Sequence, residues 1–290
     1  MTIDAVVVSF NAAAHIGPCV ASLRDAGVDH LTVADNGSTD GSREALLAAD
    51  PDATWIETGS NLGYGRAANL GAGASSGEYL LVANPDLIVA AGALSALRAR
   101  LASEPDLAIV GPRIRNPDGT LYPSARTFPD LVDAIGHGLF GTFAPDNRFT
   151  RRYRLLDWDH AEAARVDWVS GACFLIRRVA WDRLGGFDPS YFMYLEDVDL
   201  CWRASRAGWS VAYEPSAEVV HVQGVSANQR PYRMLAAHHR SMWRFAWRST
   251  AGAKRMALPL VAAGLGARLA ISCAQHRFQA GRPVPPVPAQ

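Results

Sequence analysis

Tyr79-Leu80-Leu81-Val82-Ala83-Asn84-Pro85-Asp86 is an unbroken apolar run that ends in a polar turn closed by proline. A run this apolar, without a polar face, belongs to a strand covered on both sides, and the turn puts a carboxylate at its C-terminal end. Working outward, residues 5–10, 31–35 and 54–57 upstream and 107–110 downstream repeat the pattern as short Val-, Ile- and Leu-rich runs. Between them lie Ala-, Leu- and Arg-rich stretches of helical spacing, roughly 15–26, 42–49, 66–75 and 91–103. The alternation predicts an α/β fold with a mostly parallel central sheet and helices on both faces. After Pro112 it weakens. Residues 111–126 read as a β excursion, 128–159 as a Gly/Pro-interrupted segment, 166–177 as a strand, 198–207 as a helix stopped by Gly208, and 210–213 and 218–221 as two strands. From Tyr232 the chain reads as helical and basic, and the Pro-rich residues 283–290 as a disordered tail.

The 290 residues give room for one large domain with an appendage. Their zero net charge hides two unlike parts. Residues 221–290 hold ten Lys and Arg and no acid, while the first 220 carry 18 basic against 28 acidic side chains. The four cysteines are scattered without CxxC spacing, which points away from a zinc site or a disulfide framework and toward a reducing compartment. The first residues run straight into a strand without signal-peptide features, so the expected location is cytosolic.

In such a sheet, ligands gather just beyond the strand ends. Those positions hold Ser9-Phe10-Asn11, Asp35-Asn36-Gly37-Ser38, Asn61-Leu62-Gly63-Tyr64-Gly65 and Asn84-Pro85-Asp86. Asp35 opens an Asn/Gly turn, and it is also placed to accept hydrogen bonds from a ribose or base. Gly63-Tyr64-Gly65-Arg66-Ala67-Ala68 matches a GxGxxA fingerprint formally, but it follows the third strand, and no acid ends a following strand about 20 residues on. Asp86 can close a turn or hold a hard divalent cation together with diphosphate oxygens. Glu196-Asp197-Val198-Asp199 sits where a helix begins, as capping acids do. Asp199 pairs with Arg203 at i,i+4 spacing, whereas Glu196 and Asp197 follow the aromatic run 191–194 and are better placed to face a pocket. His221 ends an apolar run as a structural histidine or a nitrogen ligand in a mixed metal shell.

Taken in order, these motifs, with Gly171-Ala172-Cys173-Phe174-Leu175-Ile176-Arg177-Arg178, Gly185-Gly186-Phe187-Asp188 and Tyr194 through Arg203, resemble the inverting family 2 glycosyltransferases of GT-A fold, nearest the bacterial rhamnosyltransferase branch. The resemblance covers roughly residues 3–245. It implies a catalytic domain over 1–227, with a nucleotide-sugar half at 1–112 and an acceptor half at 113–227. Ser9, Asn11, Asp35, Gly63, Asn69, Asn84 and Asp86 would bind the donor. Asp86 and His221 would hold Mg²⁺ or Mn²⁺ on its diphosphate, Asp197 would be the general base, and Trp168, Gly171 and Glu196 would meet the acceptor. Asn84 stands where an Asp-x-Asp metal motif has its first acid. The branch implies a dTDP-L-rhamnose donor and a polyprenyl-diphosphate-linked saccharide acceptor, in cell-wall or surface-polysaccharide assembly.

Arg233, Arg240, Arg244 and Arg248 alternate with Tyr232, Met242, Trp243, Phe245 and Trp247. Within a helical membrane-associating extension expected over 228–282, residues 232–248 read either as an interfacial helix on anionic lipid or as a helix that packs its aromatics on the domain and turns its arginines to solvent. Residues 256–274 are apolar except for Arg268. A central arginine disfavours a simple span, so the expectation is peripheral attachment at the cytoplasmic face of the plasma membrane. The apolar run also makes lipid a better partner than nucleic acid for the basic stretch. Three other readings are open. A sugar-nucleotide pyrophosphorylase lacks here the Gly-rich basic loop after the first strand, and a nicotinamide oxidoreductase rests on residues 63–68 alone. A non-catalytic membrane-binding protein leaves the acids at the strand ends unexplained.

Overall fold

All seven residues of Ile3–Ser9 (β1) are buried, and this strand anchors the N-terminal half of the sheet. A computed structural model of the chain describes residues 2–128, 148–222 and 231–280. β1 pairs in parallel with His30–Asp35 (β2) on one side and Tyr79–Ala83 (β4) on the other, and β2 pairs in parallel with Thr54–Glu57 (β3). Because β1 and β4 are apolar on both faces, each face needs a cover. Ala13–Asp25 (α1), Ser42–Ala49 (α2) and Ala93–Ser103 (α4) bury Ile16, Leu46 and Leu97 with Val7 and Leu81. Tyr64–Gly73 (α3), Arg178–Leu184 (α6) and Glu196–Arg206 (α7) bury Tyr64, Trp181 and Val198 with Val6 and Val82 on the other face. Arg148–Arg154 forms α5.

The C-terminal half is mixed. Leu87–Val89 is β5, and Leu107–Arg115 (β6) does not adjoin β4, because Cys173–Arg177 (β11) enters antiparallel between them. Ser210–His221 (β12) then runs parallel to β6 and antiparallel to β5, giving the order β3-β2-β1-β4-β11-β6-β12-β5. Leu121–Tyr122 (β7) and Ala164–Val166 (β9) add to β6 and β12, and Ala125–Arg126 (β8) forms a small ribbon with Trp168–Val169 (β10). Residues 166–177 therefore hold the end of β9 and two further strands, β10 and β11, separated by the turn Ser170–Ala172. The two strands expected over 210–221 are one, with its register shifted between Glu214 and Glu218. β6 runs through residue 112, so a single sheet serves both expected halves of the catalytic domain.

Pro231–Ser249 (α8) buries Phe245 against Trp202 of the domain, as the packing reading expects, and its arginines are exposed, but three of them also lie over aromatic rings of the domain. Arg233 stacks on Phe192 at 4.6 Å, Arg244 on Tyr191 at 5.8 Å and Arg248 on Trp202 at 5.9 Å, while Trp247 is exposed. Arg248 also pairs with Asp188 and, at 3.1 Å, with Asp199. A 3₁₀ turn, Gly252–Ala257, leads to Leu258–Ala280 (α9), which meets α8 through Tyr232 and His276, rings 5.0 Å apart. The stretch Gly252–Arg277 is long and apolar enough to cross a membrane by length and composition, and only 11% of its most apolar window is buried. The expected tail lies outside the described residues.

Candidate active site

Strand register builds the first part of the site. β1 and β2 end side by side, Ser9 opposite Asp35. Asp35 accepts hydrogen bonds from the Gly37 and Ser38 amides at 3.0 and 2.8 Å with Oδ2, and from the Ser38 hydroxyl with Oδ1. Its carboxylate shapes the turn, and any role toward a nucleoside acts through the loop it holds. Asn11, at φ 48°, accepts from the Thr39 amide, and its own amide donates to Ser38 Oγ, which ties the β1 and β2 loops together. Ser9 Oγ is buried at this edge without a protein partner. Asn36 bonds Leu62 and Gly63 of the next loop.

The glycines of the GxGxxA match serve packing. Gly63 has φ 94°, and a Cβ there would enter the van der Waals shell of the Phe192 carbonyl oxygen; one at Gly65 would lie 2.9 Å from Phe187 Cβ. The Tyr64 amide donates to that same Phe192 carbonyl at 2.9 Å, so the 61–65 loop and the 189–195 loop meet backbone to backbone. Asn69 is a correction to the donor-binding set. Its amide donates to Phe187 O at 2.8 Å and accepts from Phe187 N at 2.9 Å, so both its ends are spent on protein backbone.

Asn84-Pro85-Asp86 leads from β4 into β5. Because His221 pairs with Leu87, the register carries the imidazole to the turn across 135 residues of sequence. His221 Nε2 lies 3.1 Å from Asp86 Oδ1 and 3.2 Å from Asn84 Nδ2. Both side chains are buried, and Asp86 Oδ1 has no hydrogen-bond donor. Adjacent ligands at about 2.1 Å from an octahedral ion sit about 3 Å apart, so the pair fits two positions on a small divalent cation. No cluster of three or more His, Cys, Asp or Glu occurs among the described residues. Among the described residues the site therefore offers this pair, and further positions are open to a bound ligand or water.

The second acidic centre begins α7. Asp197 is half-buried, and its Oδ2 and Oδ1 accept hydrogen bonds from the Gly171 and Val198 amides, each 2.8 Å. Burial raises its pKa, opposed by those amides and by Arg126. Glu196 is fully buried, with Oε2 unpartnered, and burial and then the charge of Asp197 push it up to about 8. Two adjacent carboxyls in unlike settings divide the work: Asp197, held by amides and Arg126, gives up its proton first, and Glu196 keeps its own longer. The next peptide joins both centres. Gly171 N–H holds Asp197, Gly171 O accepts the Tyr64 hydroxyl at 2.6 Å, and Ala172 O accepts the Asn84 amide at 2.8 Å. The Tyr64 hydroxyl, buried near Glu196, Asp197 and Asp86, has its pKa driven well above the usual value by burial and then by those carboxylates.

Trp168 is a second correction, because it is buried and its indole N–H is taken by Thr127 O at 2.8 Å. Its ring instead carries the Arg126 guanidinium at 5.0 Å, opposite it in the β8–β10 ribbon and flanked by Tyr122 and Tyr153. Arg126 is a residue that sequence reading missed. Its neighbours Ala125 and Thr127 carry no motif, and it reaches Asp197 only through the ribbon. Asp199, as expected, is structural: Arg203 Nε donates to it at 2.6 Å.

Comparison with known proteins gives a consistent result. A family profile described as Glycosyl transferase family 2 matches residues 4–199. The chain is 41% identical over 253 residues to the N-acetylglucosaminyl-diphospho-decaprenol L-rhamnosyltransferase of Mycobacterium tuberculosis, covering 83% of this chain and 82% of that one. Among solved structures, the mannosyltransferase PcManGT from Pyrobaculum calidifontis, in complex with GDP-Man and Mn²⁺, superposes with a TM-score of 0.58 at 17% identity, over 94% of this chain and 75% of that one. GalNAc-T7 with UDP, GalNAc and Mn²⁺ gives 0.56 at 16%, over 76% and 43%. At such identities, these two speak to the fold alone.

Proposed function

Because the chain belongs to glycosyl transferase family 2, we propose that it transfers L-rhamnose from dTDP-L-rhamnose, with inversion, to a hydroxyl of a polyprenyl-diphosphate-linked saccharide during cell-wall or surface-polysaccharide assembly. The relative at 41% identity supports the choice of sugar and of acceptor class. The observation that carries the chemistry is the Gly171–Ala172 peptide. It ties an amide-held carboxylate, Asp197, to the turn bearing Asp86 and His221.

Asp197 accepts the proton of the acceptor hydroxyl as that oxygen forms its bond to the anomeric carbon. The bond from that carbon to the diphosphate breaks on the opposite face, and its electron pair leaves with the nucleoside diphosphate, so a β donor gives an α product. Gly171 and Val198 amides fix the carboxylate, and they and Arg126 favour its ionised form against the effect of burial. Asp86 and His221 would hold Mg²⁺ or Mn²⁺, which when bound offsets the charge gathering on the leaving diphosphate. The exposed apolar α9 supports peripheral attachment to anionic lipid at the cytoplasmic face, where a lipid-linked acceptor presents its sugar.

The test is transfer from dTDP-L-rhamnose to prenyl-diphosphate-linked N-acetylglucosamine with Mn²⁺, read by product mass, together with Asp197→Asn. The variant is expected to bind donor normally and to lose at least ~100-fold in turnover. Near-normal turnover removes Asp197 as the base, and no product with any nucleotide sugar removes the reading as a transferase.

A further inference from the structure

A groove of about 220 Å³ runs between the catalytic domain and α8, away from the carboxylate centres. Arg66, from the first turns of α3, lines one wall, Arg240 and Arg244 of α8 line the other, and Leu62, Phe192 and Ser241 complete it. Its volume is below the roughly 300–1,000 Å³ of a pocket that swallows a whole drug-sized ligand. That size suits a compact headgroup.

Among the described residues, no ion pair compensates the charge in it. Two acids on neighbouring elements are already paired, Asp188 with Arg248 and Asp199 with Arg203 and Arg248. Arg66, Arg240 and Arg244 have no ion pair among the described residues, and residues 221–290 contain no acid that could supply one. Two of the three guanidinium groups, though exposed, are anchored: Arg66 Nε donates to Pro189 O at 2.6 Å, and Arg244 stacks on Tyr191. Converging, oriented guanidinium groups without a carboxylate form a phosphate-type anion site, since the planar fork matches its oxygens.

Two connections identify the anion. The 189–195 loop that floors the groove packs its Phe192 carbonyl against Gly63 and runs directly into Glu196 and Asp197. Ser241 Oγ of α8 donates to Met193 O at 2.9 Å, which joins the groove wall to that same loop. On the other side, α8 continues into α9, whose exposed Leu260 (73%) and the neighbouring Met256 (84%) offer an apolar surface. The groove thus lies between a loop that leads to the base and a helix that leads to an apolar surface. We propose that the groove binds the diphosphate of a prenyl-diphosphate-linked acceptor, with the prenyl chain toward α9 and the saccharide toward Asp197. This rests on the transferase reading above and adds to it the site that selects a diphosphate-lipid acceptor.

The experiment compares wild type with Arg240→Gln/Arg244→Gln, both exposed positions, after checking by thermal melting that the variant folds. Farnesyl diphosphate in detergent is titrated by calorimetry, with farnesol as the neutral control. The variant is expected to bind farnesyl diphosphate at least ~10-fold more weakly, the scale of losing one charge-assisted hydrogen bond, with farnesol and dTDP affinity unchanged. In turnover, KM should rise similarly for the prenyl-diphosphate-linked sugar and stay constant for the same sugar on a neutral alkyl glycoside. Equal farnesyl diphosphate affinity in the two proteins overturns the proposal. So does a loss confined to flotation with phosphatidylglycerol vesicles, which would make the groove a phospholipid headgroup site. Because the titration needs no catalysis, a wild type that binds farnesyl diphosphate yet transfers to neither acceptor refutes the transferase reading while leaving the groove.

Discussion

Replacing Glu196 by Gln should flatten the pH dependence of stability between about pH 5 and pH 9. In the folded protein, burial and the charge of Asp197 push the Glu196 carboxyl up from 4.5 to about 8. Between those values the folded state keeps a proton that the unfolded chain has released, so stability falls as pH rises through that window and levels off above about 8. At 1.36 kcal/mol per pH unit, the interval corresponds to roughly 5 kcal/mol at most. Asp197 supplies part of it, so the same substitution in an Asp197→Asn background should recover less. Gln is nearly isosteric and neutral at every pH, hence the variant should lose ~2–4 kcal/mol less stability than wild type on going from pH 5 to pH 9. Urea unfolding at a series of pH values measures this, with m-values checking that the denatured state has not changed. Parallel stability curves for the two proteins would refute the argument that Glu196 is held neutral by its surroundings.

Gly63→Ala brings a Cβ against the Phe192 carbonyl at φ 94°. It should cost more than ~2 kcal/mol in thermal unfolding and, by displacing the 189–195 loop, lower turnover more than donor affinity. Asp86→Asn and His221→Ala should each abolish the gain in donor affinity on adding Mn²⁺, read by calorimetry with and without the cation; an undiminished metal response in both would remove the site. Asn69→Ala leaves the Phe187 amide and carbonyl unpaired, so it should cost about 1–3 kcal/mol of stability with the donor Kd unchanged. A weakened donor Kd would return Asn69 to the binding set.

The N-terminal half of the sheet was readable in the sequence because its strands are short, apolar on both faces and separated by periodic helices. Residues 54–57 and 79–83 form strands with the expected ends. The pairing of His221 with Asp86 followed from chemistry and resemblance, although only the β5–β12 register explains how they meet. What stayed hidden was non-local. Nothing in Cys173–Arg177 announces that it will enter antiparallel between β4 and β6, since its pattern is that of any buried strand. Arg126 carries no local signature because its cage is assembled from β7, β8, β10 and α5. The aromatic seats beneath three arginines of α8 were hidden for a related reason. Helical spacing shows which residues share a face, but not that the domain beneath offers Tyr191, Phe192 and Trp202 as seats for cations.

The antiparallel entry of β11 also governs the order in which this protein can be made. β4 is the apolar centre of the finished sheet, yet on the ribosome its second edge has no partner until residues 173–177 emerge, roughly 90 residues later. At about 5–20 residues per second, the nascent chain exposes that edge for some 5–20 s. During that interval, β1 to β4 can pair among themselves and still present an open template to any other strand. The stretch between residues 84 and 177 is therefore where slow translation lengthens the time that the β4 edge stays open.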